Sequence, residues 1–281
     1  MASILIMGCG DIGGALAKNL SRKGHEVTGL RRTQPVGLSP VKFIQADVTN
    51  ADEMDAVALD YDQLVYILSP SGRSIDAYQA VFEVGVDNLL NSLRRQGLDR
   101  PVTFVSSSRV HGECKGEQVN EKTTANPKEQ RGQLLLDAEN KFLSYSQQTT
   151  IVRFSGIYGR SNYFIEQLKK GAKIQKNPPY YTNRIHRDDC VGVLEHLLNK
   201  KIGQEQIERI YLATDCAPTP KWEVASYLVN KLALQPCEVL TNIDQVNQNK
   251  QLDNSRLCAS GYSFIFKTYK EGYEEVVGGK N

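Results

Sequence analysis

The sequence predicts an α/β fold, a Rossmann-type doubly wound parallel sheet with a smaller C-terminal substrate lobe. Two observations lead there. First, Ser3 to Met7 is an apolar, strand-like run that leads into Gly8-Cys9-Gly10-Asp11-Ile12-Gly13, and Ile12, Ala15, Leu16, Asn19 and Leu20 follow at helical spacing. Strand, tight turn and helix is the context in which Gly-x-Gly-x-x-Gly becomes informative. Second, the first half of the chain alternates short apolar runs with helical stretches, the pattern of a parallel sheet covered on both faces. A chain of 281 residues suffices for one large α/β domain, or for a nucleotide-binding domain with a smaller one appended.

The elements follow in order. Gly24-His25 marks a turn, and Glu26 to Leu30 is the second strand, ending at Arg31-Arg32. Thr33 to Pro40 reads as a loop, Val41 to Ala46 as the third strand closed by Asp47. Asn50 or Asp52 can cap a short helix running to about Leu59, since a short polar side chain there accepts from the first free N–H groups. Gln63 to Leu68 is the fourth strand, stopped by Ser69-Pro70-Ser71-Gly72. The apolar positions Tyr78, Val81, Phe82, Val84, Leu89, Leu90 and Leu93 line one long helix, and Val102 to Val105 is the fifth strand. Leu134 to Tyr145 is a helix and Thr149 to Phe154 the sixth strand. Connections then lengthen around Asn177 to Tyr181, and helices near Asp188–Lys200 and Lys221–Leu234 bracket a strand at Ile210 to Ala213. The expected division is a nucleotide-binding domain over 1–154 and a substrate lobe over 155–281, with segments of the lobe interleaved with the main sheet.

Composition excludes several classes of function. A formal net charge of +2 and the lack of any long Lys/Arg run argue against nucleic acid as a partner. No apolar run approaches the roughly 20 residues needed to span a bilayer, and no basic, cleavable leader precedes the first strand. Six cysteines without Cys-x-x-Cys spacing read as reduced thiols of a cytoplasmic protein, neither a metal site nor a disulfide frame. Cys9, inside the glycine turn, is either an oxidant-sensitive thiol or simply a small residue that fits there.

The glycine turn carries the first chemistry. Gly8 permits the sharp exit from the strand, Gly10 lets a pyrophosphate approach the backbone, and Gly13 lets the helix pack close. The helix N-terminus at Asp11 and Ile12 then faces the phosphates. An acidic residue at the tip of the second strand would select NAD. Arg31 and Arg32 stand there instead, and guanidinium forks suit a 2′-phosphate, so NADP is expected over NAD. Asp47-Val48 is where an adenine edge would lie, with a cap role for Asp47 as the alternative, and Leu68 at the end of the fourth strand completes the expected cofactor set. His186 with Asp188 and Asp189 reads as a helix start rather than a metal site, because carboxylates are favoured in a first turn. Arg153, Arg160 and Arg184 offer a cationic wall for a phosphorylated or acidic substrate, with a surface or ion-pair role for each alone as the alternative.

Taken together, Gly8-x-Gly10-x-x-Gly13, Asp47-Val48-Thr49, Phe104 to Gly112, Arg153-Phe154-Ser155-Gly156-Ile157-Tyr158-Gly159, Arg184 to Asp189 and the C-terminal Asn254-Ser255-Arg256-Leu257 resemble the NAD(P)-dependent epimerase/dehydratase family of extended short-chain dehydrogenases/reductases. The resemblance covers nearly the whole chain. It implies a Rossmann core that binds NAD(P) and a C-terminal lobe for a small molecule, often a sugar nucleotide. It also implies a Tyr-x-x-x-Lys pair on one helix face, and here the chain departs: the matched positions hold Arg131 and Leu135. Met7 replaces the first glycine of the family's turn. The family's serine is retained as Ser107, while Ser108-Arg109 stand where a dehydratase would carry Asp-Glu. His111, in place of a usual tyrosine, and Tyr158 are further candidates for proton transfer. The expected function is an NADP-preferring oxidoreductase or epimerase-like enzyme acting at a carbonyl or hydroxyl carbon of a small molecule, phosphorylated or nucleotide-linked. The alternative is a non-catalytic NADP-binding sensor. Dimerisation through the Tyr78–Leu93 helix is an open option, equally satisfied by burial in one chain.

Overall fold

A computed structural model describes residues 1–33, 41–241 and 248–278. The expected loop at 34–40 lies outside the described residues. The chain begins β1 (Ser3–Met7), α1 (Asp11–Arg22), β2 (Glu26–Arg31), β3 (Lys42–Gln45), α2 (Ala51–Asp55), β4 (Gln63–Tyr66) and α3 (Ile75–Gln79). A π-helical turn, Ala80–Val84, joins α3 to α4 (Gly85–Arg95). Then come β5 (Val102–Ser107), β6 (Glu117–Val119), α5 (Gln130–Tyr145), β7 (Thr150–Phe154), β8 (Gly156–Tyr158) and α6 (Tyr163–Lys169). The remainder is β9 (Tyr181–Thr182), β10 (Arg184–His186), α7 (Arg187–Ile202), β11 (Ile210–Ala213), β12 (Thr219–Pro220), α8 (Lys221–Lys231), β13 (Lys250–Leu252), α9 (Ser255–Ala259) and α10 (Tyr269–Gly278).

Seven strands form a doubly wound parallel sheet in the order β11-β7-β5-β4-β1-β2-β3. Order reverses between β1, which pairs with β2, and β4, which pairs with β1 on its other side. Open α/β sheets bind ligands beyond the strand ends at such a switch point. The strands read as continuous apolar runs because both faces are covered: Ile4, Leu5, Ile6 and Met7 are all fully buried.

The chain forms two compact units. The first comprises Met1–Val110, Asn126–Arg153 and Val191–Tyr211; the second comprises His111–Ala125, Phe154–Cys190 and Leu212–Asn281. In the first unit, α1 buries Leu16, Ala17 and Leu20, and α4 buries Val86, Leu89, Leu90 and Leu93. Tyr66, Phe104 and Phe142 pack ring against ring, with centroids 4.9 to 5.9 Å apart. In the second unit, Ile165, Leu168, Ile174, Val224, Leu228, Tyr269 and Tyr273 make the core.

The helix expected from Tyr78 to Leu93 is present but interrupted by the π turn. The Tyr66 hydroxyl donates to the Val81 carbonyl at 2.6 Å, and a Cβ on Gly85 would lie 2.6 Å from that hydroxyl. The wider turn thus frees a carbonyl for a buried phenol, and only glycine fits beside it. An irregularity of this kind shifts the apolar spacing by a single position, and helical spacing already alternates between three and four residues, so the sequence pattern does not reveal it.

Candidate functional site

In the first unit, the glycine turn has the shape its residues predict. Gly8 has φ +105, and a Cβ there would lie 2.3 Å from the Ile67 carbonyl oxygen. A Cβ on Gly13 would lie 2.3 Å from the Gly8 carbonyl oxygen, so the helix closes tightly on the turn. Above Gly10 there is open space, with no atom within 4 Å of a Cβ. Helix α1 starts at Asp11 behind Gly10, which supplies no side-chain cap to its free N–H groups. Ile12 is half-buried behind them. Leu68 lies just beyond the end of β4, the neighbour of β1 across the switch point, next to the Ile67 carbonyl that Gly8 abuts. A turn that is closed at two glycines and open at the third fits a pyrophosphate lying on the backbone.

Arg31, at the end of β2, turns its guanidinium back to this turn: Nη1 donates to the Cys9 carbonyl at 3.3 Å and Nη2 to Thr33 Oγ1 at 3.2 Å. Arg32 is exposed. Beside them, Arg31, Phe43, Ile44 and Gln45 line a small open recess of about 80 Å³ at the β2–β3 edge of the sheet. Cys9 is buried, and burial pushes its thiol up to about 12, so the oxidant-sensitive reading of that residue is set aside. Asp47 accepts from the Thr49 amide at 2.9 Å and the Thr49 hydroxyl at 2.8 Å, an Asx-type turn that shapes the exit of β3. The cap of α2 is Asn50, which accepts from Asp52 and Glu53. Val48 is buried, its carbonyl accepting from Asn88 Nδ2 at 2.9 Å.

Ser107 ends β5, and its Oγ accepts from the Arg109 amide at 3.3 Å. That contact occupies an acceptor position and leaves the hydroxyl proton to be donated. Arg109 pairs with Glu129, which Arg131 Nη2 also contacts at 2.9 Å. The paired guanidiniums hold the Glu129 carboxyl below its ordinary range despite the opposing effect of burial. Arg131 also lies over the Tyr78 ring, 5.9 Å from its centroid, and Leu135 is buried. The helix position expected to carry a catalytic phenol therefore carries a fixed cation, and the lysine position faces the core.

Sequence reasoning missed Glu139, the buried partner of Arg153. Arg153 Nη2 contacts Glu139 Oε2 at 2.6 Å, and Ser106 Oγ donates to Glu139 Oε1 at 2.6 Å. Glu139 is 0% exposed and Arg153 4%. Arg153 thus takes the ion-pair role given as its alternative, inside the first unit. Only the period of α5, which places Glu139 one turn from the buried Leu135, hints at this role.

In the second unit, His111 is fully buried, and its carbonyl accepts from Lys250 Nζ. Tyr158 ends β8, its ring packed against Tyr273 with centroids 4.8 Å apart and against His186 at 5.2 Å. Burial, reinforced by Asp215, pushes the phenol well above its ordinary range. A Cβ on Gly272 would lie 1.8 Å from its hydroxyl, so α10 packs on it closely. Arg184, on β10, donates from Nη1 to the Thr182 carbonyl at 3.3 Å, and its charge opposes the upward push of burial on the Tyr273 phenol. Asp189 accepts from Tyr262, Ile265 and Phe266 at 2.8 to 3.0 Å, which clips the 262–266 segment to the start of α7. Among the described residues no group of three or more His, Cys, Asp or Glu could hold a metal ion. No described helix is long and apolar enough to cross a membrane.

Asp215 stands out. It is 1% exposed, and one carboxylate oxygen makes no hydrogen bond within the described residues. Burial raises its pKa to about 7, with Arg184 opposing. A carboxyl raised in the folded state stabilises the fold below its unfolded pKa of about 3.9, and that contribution is lost as pH rises to about 7. Asp215→Asn is therefore expected to match the parent protein near pH 4 and to exceed it by about 1–4 kcal/mol at pH 8. Denaturant unfolding at both pH values checks this, and equal stability at pH 8 would contradict it.

Comparison with known proteins agrees with this architecture. Protein YeeZ of Escherichia coli strain K12 is 27% identical over 271 residues, 92% of this chain and 93% of its own. A Methylobacillus flagellatus structure, provisionally described as an NAD-dependent epimerase/dehydratase, is 35% identical, with 99% of this chain and 98% of its own covered and a TM-score of 0.84. UDP-glucuronic acid 4-epimerase from Bacillus cereus, solved with NAD, has the same fold at 20% identity, with a TM-score of 0.77 over 99% of this chain and all of its own. The sequence pattern of the NAD dependent epimerase/dehydratase family matches residues 4–200, from the first strand into α7, and the chain belongs to that family.

Proposed function

We propose that this protein is an NADP-preferring oxidoreductase or epimerase-like enzyme acting at a carbonyl or hydroxyl carbon of a small molecule. The observation that carries the reading is the open space over Gly10 between two glycines that pack hard against backbone. Gly8, Gly10 and Gly13, with the α1 N-terminus at Asp11 and Ile12, would hold the pyrophosphate. Arg31 and Arg32 would hold the 2′-phosphate, Asp47 and Val48 the adenine edge, and Leu68 would flank the cofactor across the switch point. A bound nicotinamide supplies hydride donation or acceptance. Ser107 would donate its proton to the substrate oxygen, and His111 and Tyr158 remain candidates for proton transfer. Nucleotide sugars are the substrates to test first, since relatives of the same fold are named for them.

A specific observation favours a second reading, an NADP-binding sensor without turnover. Leu135 cannot assist proton transfer, and Arg131 is ion-paired where the family has its tyrosine. Calorimetric titration with NADP and NAD tests both readings. NADP is expected to bind at least about tenfold more tightly, since a charge-assisted contact contributes roughly 1.5–3 kcal/mol. Binding of neither would overturn the nucleotide reading altogether. Ser107→Ala then separates the two: an enzyme loses roughly tenfold or more in kcat/KM with its NADP affinity intact, whereas a sensor has no turnover to lose.

A further inference from the structure

Cys216 and Cys258 lie far apart in sequence and close together in the second unit. Cys216 follows the end of β11, and Cys258 sits in α9. Both are exposed free thiols. The side chain of Asn254, the residue that opens α9, bridges them: Nδ2 lies 3.3 Å from Cys216 Sγ, and Cys258 Sγ donates to Oδ1 at 3.6 Å. Asn254 makes no side-chain cap to its own helix. Its amide is turned to the two sulfurs and to the Thr214 carbonyl, 2.9 Å away. The backbone is already fixed around the pair, since the Cys216 amide donates to the Lys267 carbonyl at 2.9 Å and the Cys258 amide to the Asn254 carbonyl at 3.0 Å. Two exposed thiols that meet the two ends of one side-chain amide are held near enough for a small chain movement to join them.

We propose that Cys216 and Cys258 form a reversible disulfide when the protein meets a disulfide oxidant such as oxidised glutathione. In the first step the Cys216 thiolate attacks one glutathione sulfur; the oxidant's S–S bond breaks, one glutathione leaves as thiolate, and a mixed disulfide forms on Cys216. In the second, the Cys258 thiolate attacks Cys216 Sγ, and the second glutathione leaves. Two protein S–H groups are oxidised to one S–S bond, one glutathione disulfide is reduced to two glutathiones, and the two thiol protons end on them. Either cysteine can begin the sequence with the same balance. The bridge would tie the 214–217 segment, which includes the buried Asp215, to α9. This inference stands apart from the proposed cofactor chemistry, since it needs neither NADP nor turnover.

The test treats the full-length reduced protein with oxidised glutathione and follows intact mass and digested peptides over time. The expected product has lost two hydrogens and contains a Cys216–Cys258 peptide. The mixed disulfide on Cys216 or Cys258 should stay below about a tenth of the crosslink, because the second thiol acts at the high effective concentration of a tethered group, whereas the adduct on the exposed Cys114 should persist. Cys216→Ser and Cys258→Ser should each abolish the two-hydrogen loss and leave a stable adduct on the surviving thiol, and dithiothreitol should reverse the product. Separate adducts on Cys216 and Cys258 in the parent protein, or a crosslink that persists in either variant, would overturn the proposal. Far-UV dichroism of the variants identifies any that fail to fold, and the parent-protein peptide map decides the matter without them.

Discussion

Glu139→Ala is expected to lower the unfolding free energy by about 3–5 kcal/mol, the cost of removing one partner from a buried ion pair. Glu139 is fully buried, and its carboxylate takes Arg153 Nε and Nη2 together with the Ser106 hydroxyl. Truncation takes that carboxylate from a guanidinium that is only 4% exposed, and it leaves a cavity between α5 and the sheet as well. A fall in Tm of roughly 5–15 °C should accompany it. The control is the double replacement Glu139→Met with Arg153→Met, which removes both charges and should recover more than half of the loss. If the single substitution costs under about 1 kcal/mol, the pair is not the structural tie that its burial implies.

Second in size is the contrast between Gly8→Ala and Gly10→Ala. At Gly8 the backbone is left-handed and a Cβ would sit 2.3 Å from a carbonyl oxygen of the neighbouring strand's exit, so neither turn nor strand can yield without disturbing the other. Strain and overpacking together should cost about 2–4 kcal/mol, and nucleotide affinity should fall with the fold. At Gly10 nothing stands within 4 Å, so Ala should change stability by less than about 1 kcal/mol. Its methyl group would nonetheless occupy the space proposed for the pyrophosphate, and NADP affinity should drop at least about tenfold. Thermal unfolding and calorimetry on the two variants check the contrast. A Gly10→Ala protein that binds NADP normally would remove the main support for the cofactor site.

What was legible in the sequence follows from the range of the interactions involved. Strands buried on both faces write themselves as apolar runs, so β1, β2, β4, β5 and β7 are found near their expected places, and Ile210–Ala213 at its expected bounds. The short strands were not legible. β6 has three residues and pairs with β13, Glu117 beside Lys250, and nothing local in either segment announces a partner so distant. The same holds at the site. The glycine turn could be read because its geometry is local, set by φ and by close neighbours. That Glu139 would capture Arg153, that Asp215 would be buried with an unmatched oxygen, and that Cys216 would meet Cys258 all depend on elements brought together by the fold.

The π turn at Ala80–Val84 also bears on how the chain can change length. A helix that carries one surplus residue in a single widened turn has confined an insertion to that turn, leaving α4 in its place against the sheet. Removing Val81 would let the turn relax to ordinary winding, with α3 and α4 both keeping close to their present places. Tyr78 would then stay beneath Arg131, and Leu89, Leu90 and Leu93 would stay packed, the cost falling on the bond between the Tyr66 hydroxyl and the freed carbonyl. A lost residue in β1 or β4 has no such outlet, because every later side chain would change face. Natural variation in length among relatives should therefore be tolerated at this turn and purged from the strands beside it.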